Sequence, residues 1–134
     1  MISQITKKER DCLIFIEEYK NGNFPIRLKD LALKMNIKPP SVLEILTRLE
    51  DKGLISKNRG MILLTDKGKE EYRNLIMVHR TIETLYFKCG FNADDACKKV
   101  TSFDYLIDPA DAIKISALIG NPKKCPHGKP IETE

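Results

Sequence analysis

Features that would fix a function at once are scarce in this sequence. Its 134 residues include two histidines and four cysteines, and no two cysteines form a CxxC pair. The absence of that pair removes the main signal of a zinc ribbon. With so few histidines, and no nucleophile placed beside a base, general acid–base catalysis has little support. We therefore expect neither an enzyme nor a small organic substrate.

Long apolar runs and tracts of biased composition are also missing. No stretch approaches the roughly 18 apolar residues of a membrane span, and the first residues lack the order of a signal peptide. Glycine and proline number seven each, too few for a linker or a disordered tract. We expect an ordered cytoplasmic chain with no membrane partner. In that compartment the cysteines are free thiols or metal ligands rather than disulfides.

The first half of the chain has the element order of a winged helix-turn-helix. Thr6 and Glu9 form a capping box that starts a first helix, and an Asn-Gly-Asn sequence at residues 21–23 breaks it. The string FPIR is extended, LKDLALKM is a short second helix, and a third helix starts at Pro40. Two short strands, LISK and MILLT, follow as a hairpin whose turn contains Gly60.

The second half is predicted to be helical. One long helix runs from Thr65 to about Cys89, a second begins after Asn92 and reaches Asp104, and a last one begins at Pro109. A helix as long as the first of these overhangs a small domain. Its length therefore suits pairing with a second subunit.

These elements predict a mainly α fold in two domains. Residues 1–64 form a winged helix-turn-helix DNA-binding domain with a small β-hairpin wing, and residues 65–134 form an all-helical dimerisation domain with a C-terminal tail. The basic excess lies entirely in the first domain, where 12 lysines and arginines accompany 8 acids, against 11 of each in the second. A polyanion would therefore dock on the first domain.

The third helix of a helix-turn-helix lies in the major groove of double-stranded DNA, and the wing holds phosphates. Leu43 can touch a thymine methyl group, and Glu44 can accept a hydrogen bond from a cytosine amino group. The alternative is a protein-interaction module whose charges are only solvated. The predicted DNA contacts are Arg27, Lys38, Pro40, Ser41, Leu43, Glu44, Thr47, Arg48, Lys57 and Arg59.

Four strings carry a family resemblance, namely RLKDLALKMNIKPPSVLEILTRLEDKGLI, LLTDKGKEEY, HRTIE and GNPKKCPHGKPI. From about Thr6 to Ile131, the sequence resembles the metal-dependent repressors of the diphtheria toxin repressor and manganese transport regulator family. The resemblance implies a homodimer with a winged helix, a helical dimerisation and metal-binding region, and operator binding that a divalent metal strengthens. We expect no counterpart of the SH3-like third domain of longer members.

The resemblance also implies metal ligands. The histidine and glutamate of the family's ancillary metal site match His79 and Glu83, whose i, i+4 spacing puts both on one helix face. The next ligand of that site, usually histidine, falls on Cys97. A cysteine can still coordinate there as a thiolate.

The family's second metal site is poorly matched. Its ligand on the first helix aligns with Arg10, which cannot ligate a cation, and the glutamate one turn later aligns with Leu13. Its later ligands align with Thr101 and with the pair Asp104-Tyr105. We expect this second site to be lost or rebuilt, with Asp104 as a candidate ligand.

Cys125 and His127 lie one residue apart in the tail string CPHGKPI. In one interpretation the prolines fix a tail that packs on the helices. In the other, the tail folds back and adds Cys125 or His127 to His79, Glu83 and Cys97. Two thiolates beside an imidazole and a carboxylate favour Fe²⁺ or Zn²⁺ over Mn²⁺. The expected cofactor is a divalent transition metal ion, Fe²⁺ first, with Zn²⁺ or Mn²⁺ as alternatives.

Together these features predict a metal-responsive transcriptional repressor that binds a double-stranded DNA operator as a homodimer. The alternative function is a DNA-binding regulator of the same fold whose response is metal-independent or thiol-based. Such a response would use Cys89, Cys97 and Cys125.

Overall fold

The computed structural model of the chain describes residues 5–20 and 24–133. They form two compact units, Ile5–Tyr72 and a second that begins at Arg73, so the division falls inside the predicted long helix. The predicted fold class, mainly α with a winged helix-turn-helix first, is confirmed. Among the described residues, no helix has both the length and the hydropathy needed to cross a membrane.

Helix α1 spans Lys7–Glu18. Its capping box forms as predicted, because the Glu9 N–H donates to Thr6 Oγ1 over 3.2 Å and the Thr6 N–H donates to Glu9 Oε1 over 3.3 Å. The inner face of the helix buries Cys12, Leu13 and Ile16. The predicted break at residues 21–23 lies outside the described part of the chain.

Helices α2 (Leu28–Met35) and α3 (Pro39–Asp51) form the helix-turn-helix. Helix α3 begins at Pro39, one residue before the predicted start, since both prolines fit a first turn whose N–H groups have no helical partner. Its buried stripe is the predicted one. The members of that stripe are at most 2% exposed and comprise Val42, Ile45, Leu46 and Leu49.

The wing belongs to a three-stranded antiparallel sheet in the order β1 (Ile26–Arg27), β3 (Met61–Leu64), β2 (Ile55–Asn58). The β2–β3 hairpin was predicted, whereas the pairing of β1 with β3 was not. The turn consists of Arg59 and Gly60, both with positive φ, at 53° and 80°. Two such residues make the tight turn that matches the twist of a hairpin.

Helix α4 spans Asp66–Lys88 and begins at the string LTDKG. Thr65 Oγ1 accepts the Gly68 N–H over 3.0 Å and donates to the Gly53 carbonyl over 2.6 Å, so it caps the helix and holds the preceding chain. A side chain at position 68 would collide with the Leu54 carbonyl. This glycine is therefore required by a close approach of two backbones.

The second unit packs α5 (Ala93–Thr101) and α6 (Pro109–Leu118) with the C-terminal part of α4. The prediction that α5 reaches Asp104 is wrong. The Ser102 hydroxyl donates to the Lys99 carbonyl over 2.7 Å, and Phe103 leaves the helical conformation at φ −145°, so Asp104 lies on a separate 3₁₀ turn. The core of this unit comprises Met77, Val78, Ile82, Val100, Ala112, Cys125 and Ile131.

Candidate metal centre and nucleic-acid interface

The outer face of α3 is exposed over the whole set of predicted base-reading residues. Pro40, Ser41, Leu43 and Glu44 are all exposed, and the Thr47 hydroxyl donates back to the Leu43 carbonyl over 2.9 Å. Lys38 stands at the N-terminus of the helix. This face is thus accessible to a DNA groove, while the opposite face of the helix is buried in the core.

Arg48, predicted as a phosphate contact, is held by a buried carboxylate. Glu9 is 0% exposed, and its Oε2 accepts from Arg48 Nε over 2.8 Å while its Oε1 accepts from Lys52 Nζ over 2.5 Å. Burial alone would raise the pKa of Glu9, but the hydrogen bonds from Lys52 and Arg48 outweigh that effect and leave the pKa below its usual value. The contact fixes α3 against the start of α1.

Replacing Glu9 by glutamine is expected to lower the free energy of unfolding at pH 7 by about 1–2 kcal/mol, a modest value because Arg48 and Lys52 are partly exposed. Because the folded-state pKa lies below the unfolded one, the stabilisation is complete above the unfolded pKa and is lost as pH falls through the folded value. Urea unfolding of both proteins at pH 7 and near pH 3 measures this. An equal difference in the free energy of unfolding between the two proteins at pH 7 and near pH 3 would contradict this prediction.

Three basic residues lie around the wing. Arg27 Nη1 donates to the Arg59 carbonyl over 3.5 Å, which supports the positive-φ turn, and Lys57 Nζ lies 3.4 Å from Glu50 Oε1. The Arg27 and Arg59 side chains are exposed. Together they give the hairpin tip the positive charge predicted for phosphate contacts.

The predicted metal ligands all lie in the second unit, and two of them come from α4. His79 and Glu83 are one helical turn apart, and their Nε2 and Oε2 atoms are 3.9 Å apart. Glu83 is 1% exposed and the His79 side chain 13%. A carboxylate so deeply buried needs a cation or several donors around it.

Helix α5 brings Cys97 to the same place. Its Sγ lies 3.4 Å from His79 Nε2. Burial raises the pKa of the Cys97 thiol, and the charge of Glu83 and a hydrogen bond to that carboxylate raise it further. The thiol therefore keeps its proton beside Glu83 in the metal-free chain, and a cation has to displace that proton to bind.

Asp104 lies behind His79 rather than beside Cys97. It is 0% exposed, and its Oδ2 is 2.9 Å from His79 Nδ1, the ring nitrogen that faces away from Cys97. With the proton on Nδ1, the imidazole donates to Asp104 and presents the Nε2 lone pair to Glu83 and Cys97. This is the arrangement in which a carboxylate orients a metal-binding histidine.

The tail contributes Cys125 and His127 from a tight loop. The Gly128 N–H donates to the Cys125 carbonyl over 2.8 Å, and the Cys125 N–H donates to the Lys129 carbonyl over 2.8 Å. Cys125 is 6% exposed and belongs to the core of the unit. The tail thus packs on the helices and also brings His127 to Glu83, while metal ligation by Cys125 or His127 stays a prediction.

His127 bridges two carboxylates. Its Nδ1 lies 3.2 Å from Glu83 Oε2, and its Nε2 lies 2.9 Å from Asp94 Oδ1. The hydrogen bond with Asp94 raises the pKa of His127, and Glu83 adds to the rise against the effect of burial. Each of the two histidines therefore has one ring nitrogen near Glu83 and the other at a second carboxylate, Asp104 for His79 and Asp94 for His127.

The donors form two overlapping groups that share Glu83. One is His79, Glu83 and Cys97, and the other is Glu83, Cys125 and His127; within each group the donor atoms lie within 4.8 Å of one another. Two ligands bound to one transition metal ion at about 2.0–2.3 Å lie at most about 4.6 Å apart. The individual separations of 3.9 Å between His79 and Glu83, 3.4 Å between His79 and Cys97 and 3.2 Å between His127 and Glu83 lie below that limit. These donor types and separations fit a divalent transition metal.

Two of the residues aligned with the family's second site make other contacts. Arg10, in the first unit, pairs with Asp11 over 3.0 Å. Thr101, in the second, donates to the Cys97 carbonyl of its own helix over 2.8 Å. The expectation that this site is lost or rebuilt stays a prediction.

Three residues in these sites escaped the sequence analysis. Glu9 was predicted only as part of the capping box of α1, and no role was predicted for Asp94 in the first turn of α5. Arg80, whose Nη1 donates to the Pro130 carbonyl over 2.7 Å, lies in the string HRTIE, where a role was predicted only for the histidine and the glutamate. For Glu9 and Asp94, no pattern in the sequence points to the partner that each one contacts.

The described residues thus combine a winged helix-turn-helix whose third helix has an exposed outer face with a helical unit in which nitrogen, oxygen and sulfur donors cluster. Residues 65–133 match the family described as iron-dependent repressor, metal-binding and dimerisation domain, and residues 13–60 match the MarR family. The chain belongs to the iron-dependent repressor family. The matched family is described as metal-binding and dimerising over the second half of the chain.

Proteins similar to this chain include one that is described as a transcriptional regulator. An HTH-type transcriptional regulator of Aeropyrum pernix is 27% identical over 106 residues, which are 78% of this chain and 59% of that protein. T. acidophilum IdeR is 26% identical with a TM-score of 0.74, over 97% of this chain and 61% of that one. The chain thus spans about three fifths of the length of these two relatives. A hypothetical protein from Sulfolobus solfataricus is 32% identical with a TM-score of 0.84, over 96% of this chain and 99% of that one.

Proposed function

We propose that the chain is a metal-responsive repressor that binds a DNA operator as a homodimer. The observation that carries this proposal is the pair of donor groups that share Glu83. They join α4, α5 and the tail, so the occupied centre would tie together the three parts of the second unit. The exposed outer face of α3 and the basic wing would make the DNA contacts.

The metal would be held by His79, Glu83, Cys97, Cys125 and His127, with Asp104 and Asp94 orienting the two imidazoles. A divalent cation supplies the positive charge that lets a buried carboxylate and thiolates lie side by side. Sulfur donors mixed with imidazole favour Fe²⁺ or Zn²⁺, whereas Mn²⁺ prefers oxygen. Fe²⁺ is our first assignment because the family is described as iron-dependent.

A homodimer is supported by apolar side chains that the second unit leaves exposed. They are Phe87, Leu106, Ile113 and Leu118, which are 49%, 54%, 43% and 84% exposed. Leu118 and Ile113 both lie on α6, which is apolar on more than its core-facing side. Burial of this surface against a second copy would remove it from water. The same unit matches the domain described as dimerising.

The proposal is tested with anaerobically purified protein and duplexes of about 30 base pairs, long enough for two half-sites, selected from a random-sequence pool. We expect Fe²⁺ to strengthen binding at least about 10-fold over chelator, since couplings of this kind usually reach that size. Fluorescence anisotropy measures the affinity, and analytical ultracentrifugation measures the mass. Affinity that is equal with chelator, or a monomer on the DNA, would sink the proposal.

Replacing Lys38 by alanine is expected to weaken binding to all duplexes by a similar factor. Lys38 is exposed at the N-terminus of α3, where a lysine meets phosphate rather than a base edge. The slope of log K against log salt should fall by about 0.9, because one phosphate contact is lost. Lys88→Ala, at an exposed lysine at the end of α4, is the matched control and should leave the slope unchanged.

A further inference from the structure

Arg80 connects α4 to the tail. It follows His79 directly and precedes Glu83 by three positions, and its Nη1 donates to the Pro130 carbonyl over 2.7 Å. The guanidinium thus reaches main chain 50 positions away. A hydrogen bond from a charged donor to a fixed carbonyl is among the stronger ones in proteins.

Pro130 lies where the two sides of the tail loop meet. Lys124 and Pro130 form an antiparallel bridge, and the Ile131 N–H donates to the Lys123 carbonyl over 2.9 Å. Cys125 and His127 are carried on the turn between these two sides. Since proline has no N–H, its carbonyl is the main-chain group through which position 130 can be held. A bond at that carbonyl therefore restrains the whole loop.

We propose that Arg80 is a positioning residue for the metal centre. It fixes the tail loop to α4, the helix that carries His79 and Glu83, and so keeps the Cys125 and His127 donors at Glu83. This role rests on the proposed function, because it assumes that the tail donors bind the metal. The buried Ile131 side chain anchors the end of the tail independently, so loss of Arg80 should loosen the loop without detaching it.

A simple charge effect predicts the opposite result. A cation close to the centre repels a divalent ion, so removing the guanidinium would tighten metal binding if repulsion were its main effect. Positioning predicts weaker binding instead. Two variants separate these effects, since Arg80→Met keeps the aliphatic stem but lacks both donor and charge, and Arg80→Lys keeps the charge and one donor group.

The test uses the full chain titrated with Co²⁺, whose absorption reports thiolate ligation. We expect Arg80→Met to lower Co²⁺ affinity roughly 10-fold, the usual effect of losing a residue that orients ligands. The thiolate absorption of Arg80→Met should fall toward that of Cys125→Ser. Arg80→Lys should recover part of the Co²⁺ affinity and part of the thiolate absorption. Arg73→Met, at an exposed arginine of the same helix, is the control and should match wild type.

A second measurement needs no metal. In the metal-free protein, Cys125 should react faster with a thiol reagent in Arg80→Met than in wild type, as followed by peptide mass spectrometry, while the fully buried Cys12 should be unchanged. Wild-type affinity, absorption and Cys125 reactivity in Arg80→Met would overturn the role of Arg80. A wild-type protein without thiolate absorption would instead overturn the metal centre, and this role with it.

Discussion

Replacing Glu83 by glutamine is expected to lower the affinity for Fe²⁺ or Co²⁺ by at least roughly 100-fold, more than any other single change at the centre. Glu83 is the one residue common to both donor groups, and it lies 3.9 Å from His79 Nε2 and 3.2 Å from His127 Nδ1. Glutamine keeps the shape but removes the negative charge and offers a weaker donor. Losing even an orienting partner of a metal ligand costs about 10–100-fold, so losing a shared ligand should exceed that range.

Variants that remove a donor from only one of the two donor groups show whether Glu83 belongs to both. Cys97→Ser removes a donor from one group and Cys125→Ser from the other, so each should weaken binding less than Glu83→Gln does. Glu70→Gln, on the exposed side of α4, is the control for the loss of a carboxylate from this helix. Isothermal titration calorimetry gives the affinities, and a thermal melt without metal checks folding. Equal losses of metal affinity in Glu83→Gln, Cys97→Ser and Cys125→Ser would show that Glu83 is not shared between the two donor groups.

Gly68→Ala is expected to destabilise the protein by about 3 kcal/mol or more. The added methyl group would lie too close to the carbonyl oxygen and carbonyl carbon of Leu54 and would crowd the Leu64 side chain. The two Leu54 atoms belong to the backbone and cannot rotate away. Overpacking typically costs about 1–3 kcal/mol, and a clash with fixed main chain falls at the upper end or above it. The usual gain from replacing a helical glycine, about 1 kcal/mol, cannot offset this.

Urea unfolding at pH 7 measures the loss, with Lys69→Ala as the neighbouring control on an exposed position of the same turn. The control should change stability by less than about 0.5 kcal/mol. If Gly68→Ala is as stable as the control, the close approach of α4 to Leu54 is incorrect. The result also bears on function, because Thr65 and Gly68 join the end of the wing to the start of α4.

Local signals account for most of the fold that the sequence predicted correctly. The capping box at Thr6, the asparagine cap before α5 and the Asp108-Pro109 start of α6 each need only residues within four positions of one another. The prediction failed at Asp104, where periodicity continued past the true end of α5. There the Ser102 hydroxyl and the conformation of Phe103 end the helix, and the apolar spacing does not record either.

The candidate site was predictable to a smaller extent. The i, i+4 spacing of His79 and Glu83 already put both on one face, and Cys97, Cys125 and His127 had donor chemistry. The sequence left open whether the tail only packs or also reaches the centre. In the structure His127 lies 3.2 Å from Glu83, but metal ligation by these residues stays a prediction.

The amino-acid order by itself determined the helices, their caps, the wing and the residue types that could bind a metal, because these follow from interactions between near neighbours in the chain. Only the tertiary structure decided that Asp104 lies behind His79, that His127 reaches Glu83 and that Arg80 holds Pro130. These pairs are 25, 44 and 50 positions apart. Such contacts depend on how helices and tail pack, and periodicity along one element carries no record of its partner in another.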